Sequence, residues 1–216
     1  MKLMLLQQLL GKSQNLVLGI DFDGTLINSS QRHFNVLHEV LEISNLKLDI
    51  SDLLLEKAKG LSTVNYLISK GVDQELATKI AKLWIDRIEL EQHLDKDVLF
   101  HGSRRFLEEV SKSNQLILVT ARKNVEGLYS QLIKFDIKNF FSGIYIVSPS
   151  NAGQEKIKLA QHHKFDCMIG DTEVDLNSAL HNNIPFIHIR SPFRSEKFLR
   201  NISNTFVSFN HIYELI

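Results

Sequence analysis

The sequence predicts an α/β protein with a doubly wound parallel sheet and an inserted helical cap domain. Short apolar runs without polar alternation recur along the chain, as is typical of strands buried on both faces. From Phe100 onward, helical periodicity separates these runs, and alternating strands and helices build such sheets. Between Leu26 and Leu99 only helical periodicity is present, which predicts a separate helical unit.

The elements follow in chain order. The first buried strand is expected at residues 16–20, LVLGI. Helical patterns in the inserted region cover 33–43, 51–59, 62–69 and 74–93. The later elements are expected as helix 103–113, strand 116–119, helix 124–134, strand 144–147, helix 154–163, strand 167–169, helix 174–182 and strand 185–189. We therefore expect a core of residues 1–26 and 99–216 and a helical cap of residues 27–98.

The run VLGIDFDGTL places two carboxylates directly after the first strand. Asp21 and Asp23 are two residues apart, so their side chains point the same way if the chain stays extended. Such a pair repels unless a proton or a cation lies between them, and carboxylate oxygens suit Mg²⁺. This arrangement predicts a phosphoryl-transfer site. The alternative is a β-hairpin, since Asp23-Gly24 between apolar runs is also a strong hairpin signal.

Three later segments place polar residues where a parallel sheet binds its ligands. The run LILVT ends at Thr120, Lys156 lies near the start of a helix, and CMIG runs into Asp171, with Asp175 four residues further on. Open parallel sheets bind ligands at the carboxyl ends of their strands. Each feature also has a structural explanation: a β-branched strand end, a solvated lysine face and a Thr172–Asp175 helix capping box.

The series DFDGT, LVTAR, Lys156 and GDTEVD resembles the four motifs of the haloacid dehalogenase superfamily, in order and spacing, over residues 16–190. The branch it resembles contains phosphoglycolate and sugar phosphatases with a helical cap. The resemblance implies that Asp21 is the nucleophile and Asp23 the general acid/base. Lys156 and Asp171 lie closer in sequence than the family leads us to expect, so Lys158 is a rival for the lysine role.

The same resemblance implies the ligands of the phosphoryl group and of a Mg²⁺ cofactor. The phosphoryl group would contact Gly24, Thr120, Ala121 and Lys156. The metal would be held by Asp21, the backbone carbonyl of Asp23 and Asp171, with Asp175 as a supporting carboxylate.

The segment LLLEKAKGLST resembles the loop that caps of this family lower into the active site. It nominates Lys57, Lys59, Gly60 and Ser62 as residues facing the substrate. Lysines at a solvated helix end are the alternative. Arg122 is expected either to reach an anionic leaving group or to pair with a surface carboxylate.

Composition excludes several classes of partner. Lys and Arg number 25 and Asp and Glu number 25, so no net charge attracts nucleic acid or an anionic membrane. No apolar run approaches the roughly 18 residues of a membrane span, and MKLMLLQQLL lacks the cleavage site of a signal peptide. Cys167 lies in an apolar strand and is expected to be buried. We expect a cytoplasmic monomer or homodimer acting on a small phosphorylated molecule.

Three function classes remain open. The first is a Mg²⁺-dependent phosphatase that hydrolyses a small phosphorylated metabolite through an aspartyl-phosphate. The second is a phosphomutase of the same family, of the β-phosphoglucomutase kind, and the third is a noncatalytic binding protein on the same fold. Dehalogenation is disfavoured, because Asp23 supplies the acid/base group that phosphoryl transfer needs.

Overall fold

The computed structural model describes residues 15–216 and, before them, Leu6, Gln8 and Gly11. The N-terminal stretch interpreted above as lacking a signal peptide lies mostly outside the described residues. The strands are β1 Val17–Ile20, β2 Ile27–Asn28, β3 Val98–Leu99, β4 Gln115–Ala121, β5 Gly143–Val147, β6 Cys167–Gly170, β7 Phe186–Ile189 and β8 Val207–Phe209. The α-helices are α1 Ser30–Ile43, α2 Leu53–Ala58, α3 Thr63–Ser69, α4 Gln74–Arg87, α5 Glu91–Leu94, α6 Ser103–Val110, α7 Val125–Lys134, α8 Ala152–His163, α9 Glu173–His181 and α10 Glu196–Arg200.

Six strands form one parallel sheet in the order β5-β4-β1-β6-β7-β8. The predicted doubly wound sheet is therefore confirmed. Strand β1 lies between β4 and β6, so connections leave it toward both edges, and this is where open α/β sheets bind ligands. The β-hairpin alternative at Asp23-Gly24 is wrong, since both partners of β1 are parallel strands.

Alternate residues of the strands feed hydrophobic clusters on opposite faces of the sheet. Leu116 and Leu118 belong to one cluster, with side chains from α6 and α7, whereas Ile117 and Val119 belong to another, with side chains from α8 and α9. This period of two explains why β4 is apolar at every one of these positions. Cys167 is buried in this core, as expected.

Helices α1 to α4 share a third hydrophobic cluster. All of its buried and partly buried members lie between residues 34 and 88, and none of them belongs to either cluster of the sheet. The helix predicted over 74–93 is in fact two helices, because Leu90 is extended between α4 and α5. The Glu89 carboxylate accepts backbone N–H groups of Lys123 and Asn124, and this contact with the core favours the break.

A two-stranded antiparallel ribbon joins the helical segment to the core. It pairs Ile27 with Leu99 and Asn28 with Val98, and the Phe100 N–H donates to the Leu26 carbonyl at 2.9 Å. The segment thus leaves and re-enters the core at neighbouring points. Among the described residues no helix combines the length and the apolar character that a membrane crossing requires.

Candidate active site

The carboxyl ends of three adjacent strands bring the predicted site residues into one cavity. Asp21 follows β1, Thr120 lies near the end of β4, and Asp171 follows β6. With Lys156 from α8, these residues line a cavity of about 290 Å³. Because neighbouring parallel strands end at the same edge, segments far apart in sequence meet here.

Lys156 is buried and forms two ion pairs. Its ammonium donates to Asp21 Oδ1 at 2.6 Å and to Asp175 Oδ1 at 2.7 Å. Lys158 is exposed on the same helix. Of the two candidate lysines, the structure thus places Lys156 in the cavity, and residues two apart on a helix face different directions.

Asp175 has two structural roles at once. Its Oδ1 accepts from Lys156, and its Oδ2 accepts from the Thr172 backbone N–H at 3.2 Å and the Thr172 hydroxyl at 2.8 Å. The capping box expected from sequence is therefore present at the start of α9. Since both oxygens have partners, Asp175 supports the site by holding Lys156.

Asp171 is fully buried and only partly satisfied. Its Oδ2 accepts from the Ser191 hydroxyl at 2.6 Å, while its Oδ1 has no hydrogen-bond partner among the described residues. Gly24 lies against this carboxylate with φ +78°, and a side chain there would run into Asp171. A buried acceptor without a donor is costly unless something else occupies the position beside it.

Three carboxylates, those of Asp21, Asp171 and Asp175, lie together around the single ammonium group of Lys156. Burial raises the pKa of Asp21 to about 7, an effect that the Lys156 ammonium offsets only in part. Burial, together with the charges of Asp21 and Asp175, raises the pKa of Asp171 well above its ordinary value. Burial acts against the Lys156 ammonium, but its two carboxylate partners outweigh burial and raise the pKa of Lys156. The cavity can therefore accommodate an additional cation.

Asp23 is held by two arginines. Arg122 donates from Nε to Asp23 Oδ2 at 2.6 Å and from Nη2 to Oδ1 at 3.0 Å, and Arg32 of α1 also pairs with Oδ1. Burial acts to raise the pKa of Asp23, yet the charges of Arg122 and Arg32 outweigh it and hold this pKa well below its ordinary value. Arg122 was expected to reach an anionic leaving group or to pair with a surface carboxylate. The carboxylate it pairs with is instead that of Asp23, which lines the cavity.

The two arginines belong to a larger buried network. Gln131 accepts from Arg122 at 3.1 Å and donates to Asp97 at 2.8 Å, and Arg32 Nε lies 3.3 Å from Asp97. Burial raises the pKa of Asp97 to about 6, although Arg32 acts in the opposite direction. The network connects helix α1 to the core around Asp23.

The four residues nominated as substrate-facing in the helical segment do not all lie at the cavity. Lys57 is buried and lines the 290 Å³ cavity, whereas Lys59 is exposed and pairs with Glu56 at 2.6 Å. Ser62 is exposed and accepts from a backbone N–H as the N-cap of α3. Gly60 packs against the Phe198 ring. Of these four residues only Lys57 lines the cavity, whereas Lys59, Gly60 and Ser62 do not.

A second cavity, of about 230 Å³, adjoins the first on the far side of Asp23. The two cavities share Asp23, His33, Ala121 and Pro149. Walls of the second cavity include Trp84 and Ile88 from the helical segment and Arg122 from the core. Ala121 thus lies at the cavity, as predicted, and the joint volume extends between core and helical segment.

Comparison with known proteins agrees with this architecture. The sequence profile of the haloacid dehalogenase-like hydrolase family matches residues 20–189. The chain belongs to this family. The match spans all residues that line the 290 Å³ cavity except Phe193 and Arg194. A comparison with curated protein sequences finds no match.

Solved structures of haloacid dehalogenase-like proteins share the fold at low identity. A family hydrolase from Streptococcus pneumoniae is 20% identical, with a TM-score of 0.73, over 91% of this chain and 94% of that one. A protein described as a predicted phosphatase from Clostridium acetobutylicum is 20% identical, with a TM-score of 0.70, over 91% and 94%. A predicted phosphoglycolate phosphatase from Haemophilus somnus is 15% identical, with a TM-score of 0.70, over 94% and 97%.

The acidic residues of this family member fit a divalent metal ion. Carboxylate oxygens of Asp21, Asp171 and Asp175 lie within 4.8 Å of one another. The donor set consists of oxygens, as Mg²⁺ prefers, and the unpartnered Asp171 Oδ1 is free to act as a ligand. Because Asp175 is engaged by Lys156 and Thr172, Asp21 and Asp171 are the carboxylates best placed to hold the ion.

Sequence reasoning missed several residues of the site. Ser191, Phe193 and Arg194 follow the predicted strand at 185–189, so their position after its carboxyl end was a usable signal. Arg32 and His33 carried no local signal, because they look like ordinary polar positions of a surface helix.

Proposed function

We propose that the chain is a Mg²⁺-dependent phosphatase that hydrolyses a small phosphorylated metabolite through an aspartyl-phosphate intermediate. The observation that carries the proposal is the cavity in which buried Asp21, paired with Lys156, lies beside the half-satisfied Asp171 carboxylate. Membership in a hydrolase family and the phosphatase names of its structural neighbours support the same class of reaction. The zero net charge favours a small molecule over nucleic acid as the substrate.

In the first half-reaction an Asp21 carboxylate oxygen attacks the phosphorus atom, the bond from phosphorus to the leaving oxygen breaks, and Asp23 gives its proton to that oxygen. The nucleophile and the phosphate are both anions, so positive charge must lie on the phosphoryl oxygens. Lys156 supplies one such charge next to Asp21. A bound Mg²⁺ would supply further neutralisation and alignment. Thr120 lines the same cavity and is proposed to donate its hydroxyl to the phosphoryl group.

In the second half-reaction a water attacks the phosphorus and gives its proton to Asp23, while Asp21 is regenerated. Two arginines keep the Asp23 carboxylate ionised, so an unprotonated acceptor is present for this step, and its low pKa makes it a weak base. The proton that the first half-reaction needs is seldom on Asp23, since protonation weakens both ion pairs. Substrates with good leaving groups should therefore be hydrolysed fastest, because they depend least on this proton.

The experiment is a screen of phosphomonoesters with the purified chain, in Mg²⁺ and in excess chelator, with free phosphate and isomerised substrate both measured. We expect phosphate release that requires Mg²⁺. Asp21→Asn should abolish it, and exposed Asp136→Asn is the matched control that should not. Isomerisation without phosphate release would indicate the phosphomutase, and activity retained in Asp21→Asn would refute the proposed nucleophile.

A further inference from the structure

One cation of the active-site cavity has no carboxylate partner among the described residues. Of the cationic side chains that line the cavity, Lys156 pairs with Asp21 and Asp175, and Arg194 pairs with Glu173 at 2.6 Å. Lys57 instead donates to the Thr63 hydroxyl at 3.1 Å, and its ammonium lies 5.0 Å from the centre of the Trp84 ring.

Burial makes this position unfavourable for a charged amine unless an anion joins it. Only 8% of Lys57 is exposed, and burial followed by the nearby charge of Arg194 lowers the pKa of Lys57 to about 8. A buried ammonium without a counter-ion costs free energy, and an anionic ligand would recover it. The Lys57 ammonium is therefore well placed to bind an anionic group of the substrate.

His33, which lines the same cavity as Lys57, also has a ring nitrogen without a hydrogen-bond partner among the described residues. His33 lines both cavities between the rings of Trp84 and Phe193, whose centres lie 5.2 and 4.5 Å from its own. Its Nδ1 is buried and has no hydrogen-bond partner among the described residues. Trp84 is fixed by donating to the His33 carbonyl at 3.4 Å. These rings form an ordered wall beside the Lys57 ammonium.

We propose that Lys57, on a wall of Trp84 and His33, is a specificity residue that binds a second anionic group, a carboxylate or a phosphate, on the alcohol part of the substrate. This inference rests on the proposed phosphatase function and narrows its substrate class. The core residues bind the phosphoryl group, so an anion at Lys57 belongs to the part of the molecule that leaves. An amine in contact with water binds an anion weakly, because water competes for its N–H groups. The Lys57 amine is already largely shielded from water.

The test compares short phosphomonoesters of equal length that end in a carboxylate, in the uncharged carboxamide or in a second phosphate. With the full chain and Mg²⁺, kcat/KM for at least one ester that carries the second anionic group should exceed that for the carboxamide by about tenfold or more. Lys57→Met should lower this kcat/KM by about 10-fold to 100-fold and leave the carboxamide within about threefold. The ester that loses more identifies the anion recognised. Lys57→Arg should recover part of the loss.

The control is Lys79→Met, an exposed lysine that pairs with Glu75 on helix α4. It should leave all three rates unchanged. Melting temperatures show whether Lys57→Met is folded, and Lys57→Gln, which can still bond to the Thr63 hydroxyl, replaces it if not. Equal losses on the carboxamide and the anionic esters, or no preference of the wild type for either anion, would overturn the inference.

A binding measurement separates failure of this inference from failure of the proposed function. The phosphonate analogue of the carboxylate ester cannot be hydrolysed, and its affinity is measured by calorimetry. It should bind Lys57→Met about tenfold or more weakly than wild type. Unchanged affinity overturns the inference even if hydrolysis is observed. If no ester is hydrolysed but the affinity falls, the proposed function fails while the anion site stands.

Discussion

Lys156 pairs with both Asp21, the proposed nucleophile, and Asp175, so its removal should affect both activity and stability. Lys156→Met would leave Asp21 and Asp175 buried without their shared cation. Removing one partner of a buried ion pair costs about 3 to 5 kcal/mol of stability. We expect a lower melting temperature and loss of phosphatase activity. Lys158→Met, on the exposed side of the same helix, should change neither.

Asp171 and Asp175 should respond differently to the same substitution. Asp171→Asn removes a charged ligand candidate whose Oδ1 has no partner in the part of the chain that the structure describes, so the Mg²⁺ concentration needed for activity should rise. Asp175→Asn weakens contacts to Lys156 and Thr172, so stability should fall by about 1 to 3 kcal/mol. Magnesium titration and thermal unfolding of both variants give the answer. Unaltered metal dependence in Asp171→Asn would make that residue structural.

Gly24 should tolerate no side chain. Its φ of +78° is one that residues with a side chain rarely adopt, and a methyl group would collide with the Asp171 carboxylate. Gly24→Ala should therefore destabilise the protein by about 1 kcal/mol or more and disturb metal binding. Gly71→Ala, at φ +87° with open space around it, is the control for backbone strain alone. Equal effects of the two changes on Mg²⁺ dependence would contradict the proposed collision.

Individual residues differ in how far the sequence could predict them. Asp21, Lys156 and Asp171 stand directly after strands or at a helix start, so short motifs and the sheet edge were enough to bring them together. The arginine partners of Asp23 required tertiary information. Arg32 lies on a helix whose rotation about its axis is set by packing, and no local pattern encodes that angle.

The N-terminal cap of helix α3 should matter for stability and little for selectivity. Ser62 accepts the Asn65 N–H at 3.1 Å and is exposed, away from the cavity. Ser62→Ala should cost about 0.5 to 2 kcal/mol. Selectivity among phosphorylated substrates should stay as in wild type. Thermal unfolding and a substrate screen check both parts, and a changed substrate preference would restore Ser62 to the site, where the sequence had placed it.

Long buried elements were predictable, and short or interrupted ones were not. Strand β4 showed as a continuous apolar run, whereas β8 has only three residues with Ser208 at its centre. The helical period continues through 88–90, so the break between α4 and α5 is invisible without the contact that Glu89 makes to the core. Local sequence patterns indicate which residues are buried, but they do not indicate which backbone groups a distant side chain binds.

The whole molecule has two packing units that we propose fold separately. The described members of the clusters on the sheet all lie outside residues 28–98, and those of the third cluster all lie within it. A chain in which an Asn-Gly turn replaces residues 29–97 should therefore fold as the α/β core, with cooperative thermal unfolding. A molten product without a thermal transition would show that the helical segment completes the core.

The ribbon of β2 and β3 also has a consequence for how such a protein diversifies. Paired residues of antiparallel strands lie about 4.5 to 5.5 Å apart, so the helical segment that begins after Asn28 ends beside its own starting point. An insert of any length or shape can be spliced into that gap without stretching the sheet. A chain that exchanges the insert would keep Asp21, the proposed nucleophile, and would lose Lys57 and Trp84, which we propose contact the leaving part of the substrate.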